Sequence, residues 1–239
     1  MKNRNALYIF FYSFIILQST NSFCLDACQF VSTQNIHYLI IDPLNRMTGY
    51  KLSEGKKYNE IPGACYEDAG IDQPDYHEFI TAANNPFING KYQIYIYGIE
   101  KGYYQIWFSI KRNNKVTSLQ TKGVIDSGGI SYYKLKYNTN PDSSITFEHT
   151  IHTCSELRQD LDICYELKDI SNKGIYNSLS KKVDNAEKQE EKGKYNTAIN
   201  HINAFINEVE AQRGKHVRED AADILIEDAE ALIKFYQKQ

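Results

Sequence analysis

Charge of neither sign dominates this sequence. Its 239 residues carry 27 Lys and Arg against 30 Asp and Glu, a net −3. That balance points to neither nucleic acid nor an anionic membrane surface as a partner. After residue 17 no second apolar run of similar length follows, so no stable membrane span is expected beyond the leader. No C-x-x-C pair supports a zinc site. G-x-S-x-G, H-E-x-x-H, P-loop and Rossmann glycine patterns are missing as well. The sequence therefore assigns no catalytic residue, no metal and no cofactor, and it reads as a non-enzyme.

The N-terminus is where a pattern begins. Lys2 and Arg4 precede ALYIFFYSFIIL at 6–17, and STNS follows. A basic start, a short apolar run and a small-residue exit describe a secretory signal peptide. The run falls short of the roughly 20 apolar residues a span needs. Residues 1–22 are expected to be cleaved after Ser22, with Thr20 and Ser22 at the small positions. The alternative is lipidation of Cys28 in LDAC, against which stand the polar gap and Asp26. Either way the protein is expected outside the cytoplasm, secreted or periplasmic.

Five cysteines then need places: Cys24, Cys28, Cys65, Cys154 and Cys164. Export permits disulfides, and an odd count leaves at least one unpaired, lost or paired between molecules. Cys28 with Cys65 is the first expected pair. Cys154 with Cys164 conflicts with a helix, because ten residues rise about 15 Å and a disulfide tolerates only about 7 Å between Cα atoms.

From Ile36 to Tyr137 apolar residues recur every second position. KYQIYIYG sets Tyr92, Ile94 and Ile96 on one face, and GYYQIWFSIK sets Tyr104, Ile106, Phe108 and Ile110 on one face. The link GIEKG reads as a hairpin turn. HYLIID, TSLQTKGVI and SYYKLKY are further strands. From about Ser155, read as an N-cap, the period turns helical. The stripes run through Leu157, Leu161 and Cys164; Ile175, Leu179, Val183 and Ala186; Ala198, Ile202, Phe205, Ile206 and Val209; and Ile224, Leu225, Leu232 and Phe235. Gly193 and Gly214 close helices. Asn200, Asn203 and Asn207 belong on an exposed rim. The expected class is α+β by segregated modules: an antiparallel β-sandwich at 28–138, a linker at 139–154 and a small four-helix bundle at 155–239.

The blocks NSL, AINHINAFINEVEAQRGK and AADILIEDAEALI, in that order and spacing, resemble the FIMAH module at the C-terminus of exported bacterial proteins. The resemblance spans roughly 155–234 and implies an accessory, non-catalytic role with no residues to transfer. DPLNRMTGYKLSEGKKYNEIPGACYED resembles a block of exported β-sandwich proteins, with Asn45 where glycine is expected and Met47 where a basic residue is expected. The 90–112 pair of strands is similar to prepeptidase-type C-terminal domains. These imply a fold and an extracellular setting only.

Alternation places Tyr95, Tyr97, Tyr103 and Trp107 on the face opposite the apolar one. Such rings can stack on sugars or partner side chains, and they are equally at home as strand formers covered on both sides. His149, His152 and Cys154 in EHTIHTC have zinc-ligand chemistry, yet i and i+3 diverge on an extended segment, so surface histidines are expected. Asp42, Arg46, Glu54 and Glu60 read as turn and rim residues. The expected function is an exported accessory protein that binds or anchors to a polysaccharide or an exported protein. The alternatives are a hydrolase with a site between the modules and a self-assembling structural surface component.

Overall fold

The computed structural model describes residues 27–33, 35–68, 76–83, 87–112, 115–140 and 142–239. The signal-peptide expectation for 1–22 and Cys24 lie outside the described residues.

Eleven described strands come first in the chain. They are β1 (Ala27–Thr33), β2 (Ile36–Ile41), β3 (Met47–Lys51), β4 (Lys56–Asn59), β5 (Ala64–Asp68), β6 (Tyr76–Ala83), β7 (Gly90–Gly98), β8 (Gly102–Arg112), β9 (Lys115–Ile125), β10 (Ile130–Tyr137) and β11 (Thr146–His149). They form two antiparallel sheets, ordered β5-β6-β1-β8-β9 and β11-β10-β7-β2-β3-β4. Four helices follow: α1 (Cys154–Glu166), α2 (Lys173–Glu190), α3 (Tyr195–Gln212) and α4 (Glu219–Tyr236). The α+β class with segregated strands and helices is therefore correct.

One connection differs from the sequence reading. β7 and β8 belong to different sheets, so GIEKG is a crossing and not a hairpin. The reason is a close backbone approach at Gly98. Its N–H donates to the Gly129 carbonyl, and its carbonyl accepts from Gly128 N–H, both at 2.9 Å. A Cβ there would meet the Asp126 carbonyl oxygen at 2.0 Å. Only glycine lets the two turns interlock.

By contacts the chain divides into two compact units. The first holds the described residues up to Ile94, with 105–121 and 135–147. Its core is aromatic: Phe30 on β1 lies 4.3 Å from Phe108 on β8 and 6.1 Å from Tyr38 on β2, between ring centroids. Such pairs add to the area they bury. The Asp42 turn is built as its residues dictate. Asp42 is buried, its carboxylate accepts from Leu44 N–H and Arg46 N–H, and it pairs with the Arg46 guanidinium. Asn45 has φ +61°, a left-handed position. Asparagine tolerates that region better than other side chains, which explains why it can stand where glycine was expected. Glu60 accepts from Met47 N–H, and Glu54 pairs with Lys51 and Tyr58. All four are turn and rim residues.

The second unit holds 95–104, 122–134 and 148–239. The helical stripes close onto one core: Leu157, Leu161 and Cys164 meet Leu179, Val183, Phe205, Val209, Leu225 and Leu232. α1 packs on α2 and α4, and α3 packs on α2 and α4. The N-cap of α1 is Thr153, not Ser155; its hydroxyl accepts from Glu156 N–H. Glu156 in turn accepts from His152 N–H, a capping-box arrangement one residue early. Gly193 and Gly214 take φ +65° and +69° after α2 and α3, the left-handed conformation of a helix stop.

Candidate functional site

Period two puts Tyr95 and Tyr97 on the outward face of β7, and the sheet order sets β10 beside it. Tyr132 on β10 therefore falls next to Tyr95, with ring centroids 5.1 Å apart. Tyr95 and Tyr97 are nearly parallel at 6.4 Å and 12°. Tyr132 stacks on His152 at 6.2 Å, and His152 meets the edge of Phe235 of α4 at 4.8 Å. The Lys134 ammonium sits 5.4 Å from the Tyr132 ring centre. The result is a continuous strip of rings across β7, β10, the 150–153 segment and α4, all in the second unit. Tyr95, Tyr132, His152 and Phe235 are partly exposed, and Tyr97 is buried. Burial, then the neighbouring Tyr95, raises the Tyr132 phenol above its ordinary pKa.

The four rings singled out from sequence are thus not brought together. Tyr95 and Tyr97 lie in one sheet, Tyr103 and Trp107 in the other. Tyr103 serves the structure instead. Its hydroxyl donates to Asp169 at 2.6 Å, and the Arg218 guanidinium lies 5.3 Å from its ring centre. Burial and that bond raise its phenol. Asp169 is buried and also pairs with Arg218 at 2.6 Å. Tyr103→Phe is expected to cost about 1.5–3 kcal/mol, the usual worth of a hydrogen bond to a charged group, read as a lower urea midpoint at unchanged slope. A cost near zero would mean that water replaces the phenol.

A second constellation is buried. His149 Nδ1 lies 2.7 Å from Asp228 Oδ1, with side-chain exposures of 7% and 3%. Asp160 faces Asp228 from α1. Burial pushes Asp228 up to about 8 and Asp160 well above the carboxylate range, and it holds His149 below its ordinary value. A general base needs to reach a substrate proton, and an imidazole this deep does not. The sequence did carry a signal for this cluster. Asp160 sits on the Leu157–Leu161–Cys164 stripe, and Asp228 on the Leu225–Leu232 stripe, where a core expects apolar residues.

Two further places have some chemistry. A groove of about 450 Å³ runs between the 126–131 turn and α1. Three of its four carboxylates already have partners: Lys101 joins Asp126 to Glu166, and Asp162 accepts from the Tyr176 hydroxyl, while the fourth, Asp160, borders the His149–Asp228 cluster. Ser171 Oγ lies 3.5 Å from His216 Nδ1, longer than the roughly 3.2 Å reach of a nucleophile–base pair. Among the described residues no three His, Cys, Asp or Glu side chains gather as a metal site.

Cys154 and Cys164 are free and buried. Both sit in α1, as the helix-rise argument required. The Cys154 thiol contacts the Tyr236 hydroxyl at 3.3 Å, and burial pushes it up to about 12. A thiol held protonated is not a nucleophile. Cys28 in β1 pairs with Ala82, and Cys65 in β5 with Thr81, on the two sides of β6. Their side chains lie outside the described residues, and their disulfide stays an expectation.

Residues 154–234, about a third of the chain, match the model of the FIMAH domain. The match covers α1 to α3 and nearly all of α4. No curated protein and no solved structure matches the chain.

Proposed function

We propose that the protein is exported and acts as a non-catalytic binding or anchoring protein. It holds a polysaccharide, or an exported protein partner, on the strip of Tyr95, Tyr132, His152 and Phe235. The observation that supports this reading is the strip itself. Four partly exposed rings in sequence, with a lysine beside them, make a rigid amphipathic surface at low entropic cost. The FIMAH match to the helices agrees with an accessory role. The hydrolase alternative loses ground because His149 and Asp228, the one close histidine–carboxylate pair among the described residues, are themselves buried.

The test is retention of the purified protein on insoluble polysaccharides and on intact cell envelopes. Tyr132→Ala and Phe235→Ala are each expected to weaken retention roughly tenfold, about the worth of one stacking ring. Trp107→Ala, in the other sheet, is expected to leave it unchanged. Retention that survives both strip variants removes this site. Concentration-dependent self-association without retention would move the reading to a structural surface component.

A further inference from the structure

Two aspartates occupy positions where a helical bundle ordinarily places leucine. Asp228 lies on α4 between Leu225 and Leu232, and Asp160 lies on α1 between Leu157 and Cys164; the four flanking residues are fully buried. The end of β11 brings His149 to the same spot, 2.7 Å from Asp228. The Tyr133 ring stacks on the imidazole at 4.6 Å and 20°. The Tyr133 hydroxyl meets that of Tyr104 at 2.8 Å. Other titratable groups around the cluster are Glu156 and Cys164 of α1 and Glu227 of α4. Among the described residues no Lys or Arg pairs with Asp160 or Asp228. His149 Nε2 and Asp228 Oδ2 are buried without a hydrogen-bond partner.

Asp228 is buried with no cation but the imidazole among the described residues, and an uncompensated buried charge is very costly; Asp160, half-buried at the edge of the groove, sets a second carboxyl against it. With two protons shared among the three groups, the cluster is neutral. Those protons can sit on both carboxyls, or one can cross the 2.7 Å bond to make an imidazolium–carboxylate pair; the count is the same. We propose that His149, Asp160 and Asp228 form a proton-held lock that fastens α1 and α4 to the end of β11 and opens when one of its protons leaves to solvent. The lock stands whether or not the aromatic strip binds a ligand, and its tests read stability and protonation alone.

The direction follows from the proton count. In the unfolded chain the carboxyls release their protons near pH 4. Folded, they keep them until about pH 8 for Asp228 and higher than usual for Asp160. Their contribution is complete below about pH 4 and declines as pH rises toward 8. His149 opposes this below about pH 6.5, because the unfolded imidazole takes a proton that the folded one refuses. The fall is therefore steepest above about pH 6.5. Each excess proton raises the unfolding constant about tenfold per pH unit.

Urea unfolding of the full chain from pH 5 to 9 tests the lock, with Asp228→Asn as the variant. Asparagine keeps the size and cannot titrate. Its pH dependence between about 6.5 and 8 is expected to be about tenfold per unit shallower than that of the wild type. Equal slopes overturn the proposal. Should Asp228→Asn not fold, infrared spectroscopy of the folded wild type decides. A protonated-carboxyl stretch present at pH 7 and lost above pH 9 supports the lock, and its absence at pH 7 overturns it.

Discussion

Gly49→Ala is expected to lose about 3–5 kcal/mol of stability, the range of strained backbone combined with a steric clash. Gly49 lies in β3 opposite Leu39 of β2. Its φ of +129° is a conformation that side chains rarely adopt, and a Cβ would sit 2.2 Å from the Tyr38 carbonyl oxygen. Backbone cannot rotate aside as a long side chain can, so the pairing of β2 with β3 has to shift. Tyr38 is fully buried and touches Phe30 and Tyr66, so the disturbance reaches the aromatic core. Gly128→Ala is the control. It too has a positive φ, +75°, yet nothing lies within 4 Å of the added atom. Its expected cost is about 1 kcal/mol, the left-handed penalty alone. Equal losses in the two variants would mean that the close approach at Gly49 relaxes freely. Urea midpoints, with ring-current-shifted signals from the Tyr38 region, would separate the cases.

In the helical unit the largest loss is expected at Phe205. Its side chain is 0% exposed and joins residues from all four helices in one cluster. Phe205→Ala should cost about 3–5 kcal/mol, the transfer and cavity cost of a buried ring. Asn203, two residues earlier on the same helix, is exposed. There Asn203→Ala should gain about 0.5 kcal/mol, because alanine is the better helix former. Opposite signs two residues apart on one helix would show that packing, not propensity, holds α3. A loss at Asn203 would instead point to a tertiary role for that amide.

Much of this was legible locally. Alternation in 92–96 and 104–110 named the inward faces, because a strand's two faces differ in solvation and successive side chains alternate. Tyr92, Ile94, Ile96, Tyr104, Ile106, Phe108 and Ile110 are all buried. The helical stripes were equally clear, and so were the stops at Gly193 and Gly214. The N-cap missed by two residues, since Thr153 and Ser155 have the same chemistry and only the path of the chain chooses between them. That Cys154 and Cys164 do not pair with each other followed from helix rise, a local quantity.

What the sequence determined by itself is the four helices, five of the eleven described strands, the inward face of most of these, and the α+β order, because periodicity and capping are properties of neighbouring residues. Tertiary structure decided which strands share a sheet and which rings meet. A three-residue link reads the same whether it turns back or crosses between sheets, and the choice rests on Gly98 pressing against a turn some thirty residues away. Tyr95 met Tyr132 instead of Trp107 for that reason. The His149–Asp160–Asp228 cluster likewise joins residues 79 positions apart. Its aspartates looked like flaws in two apolar stripes until the fold set them, and a histidine, against one another.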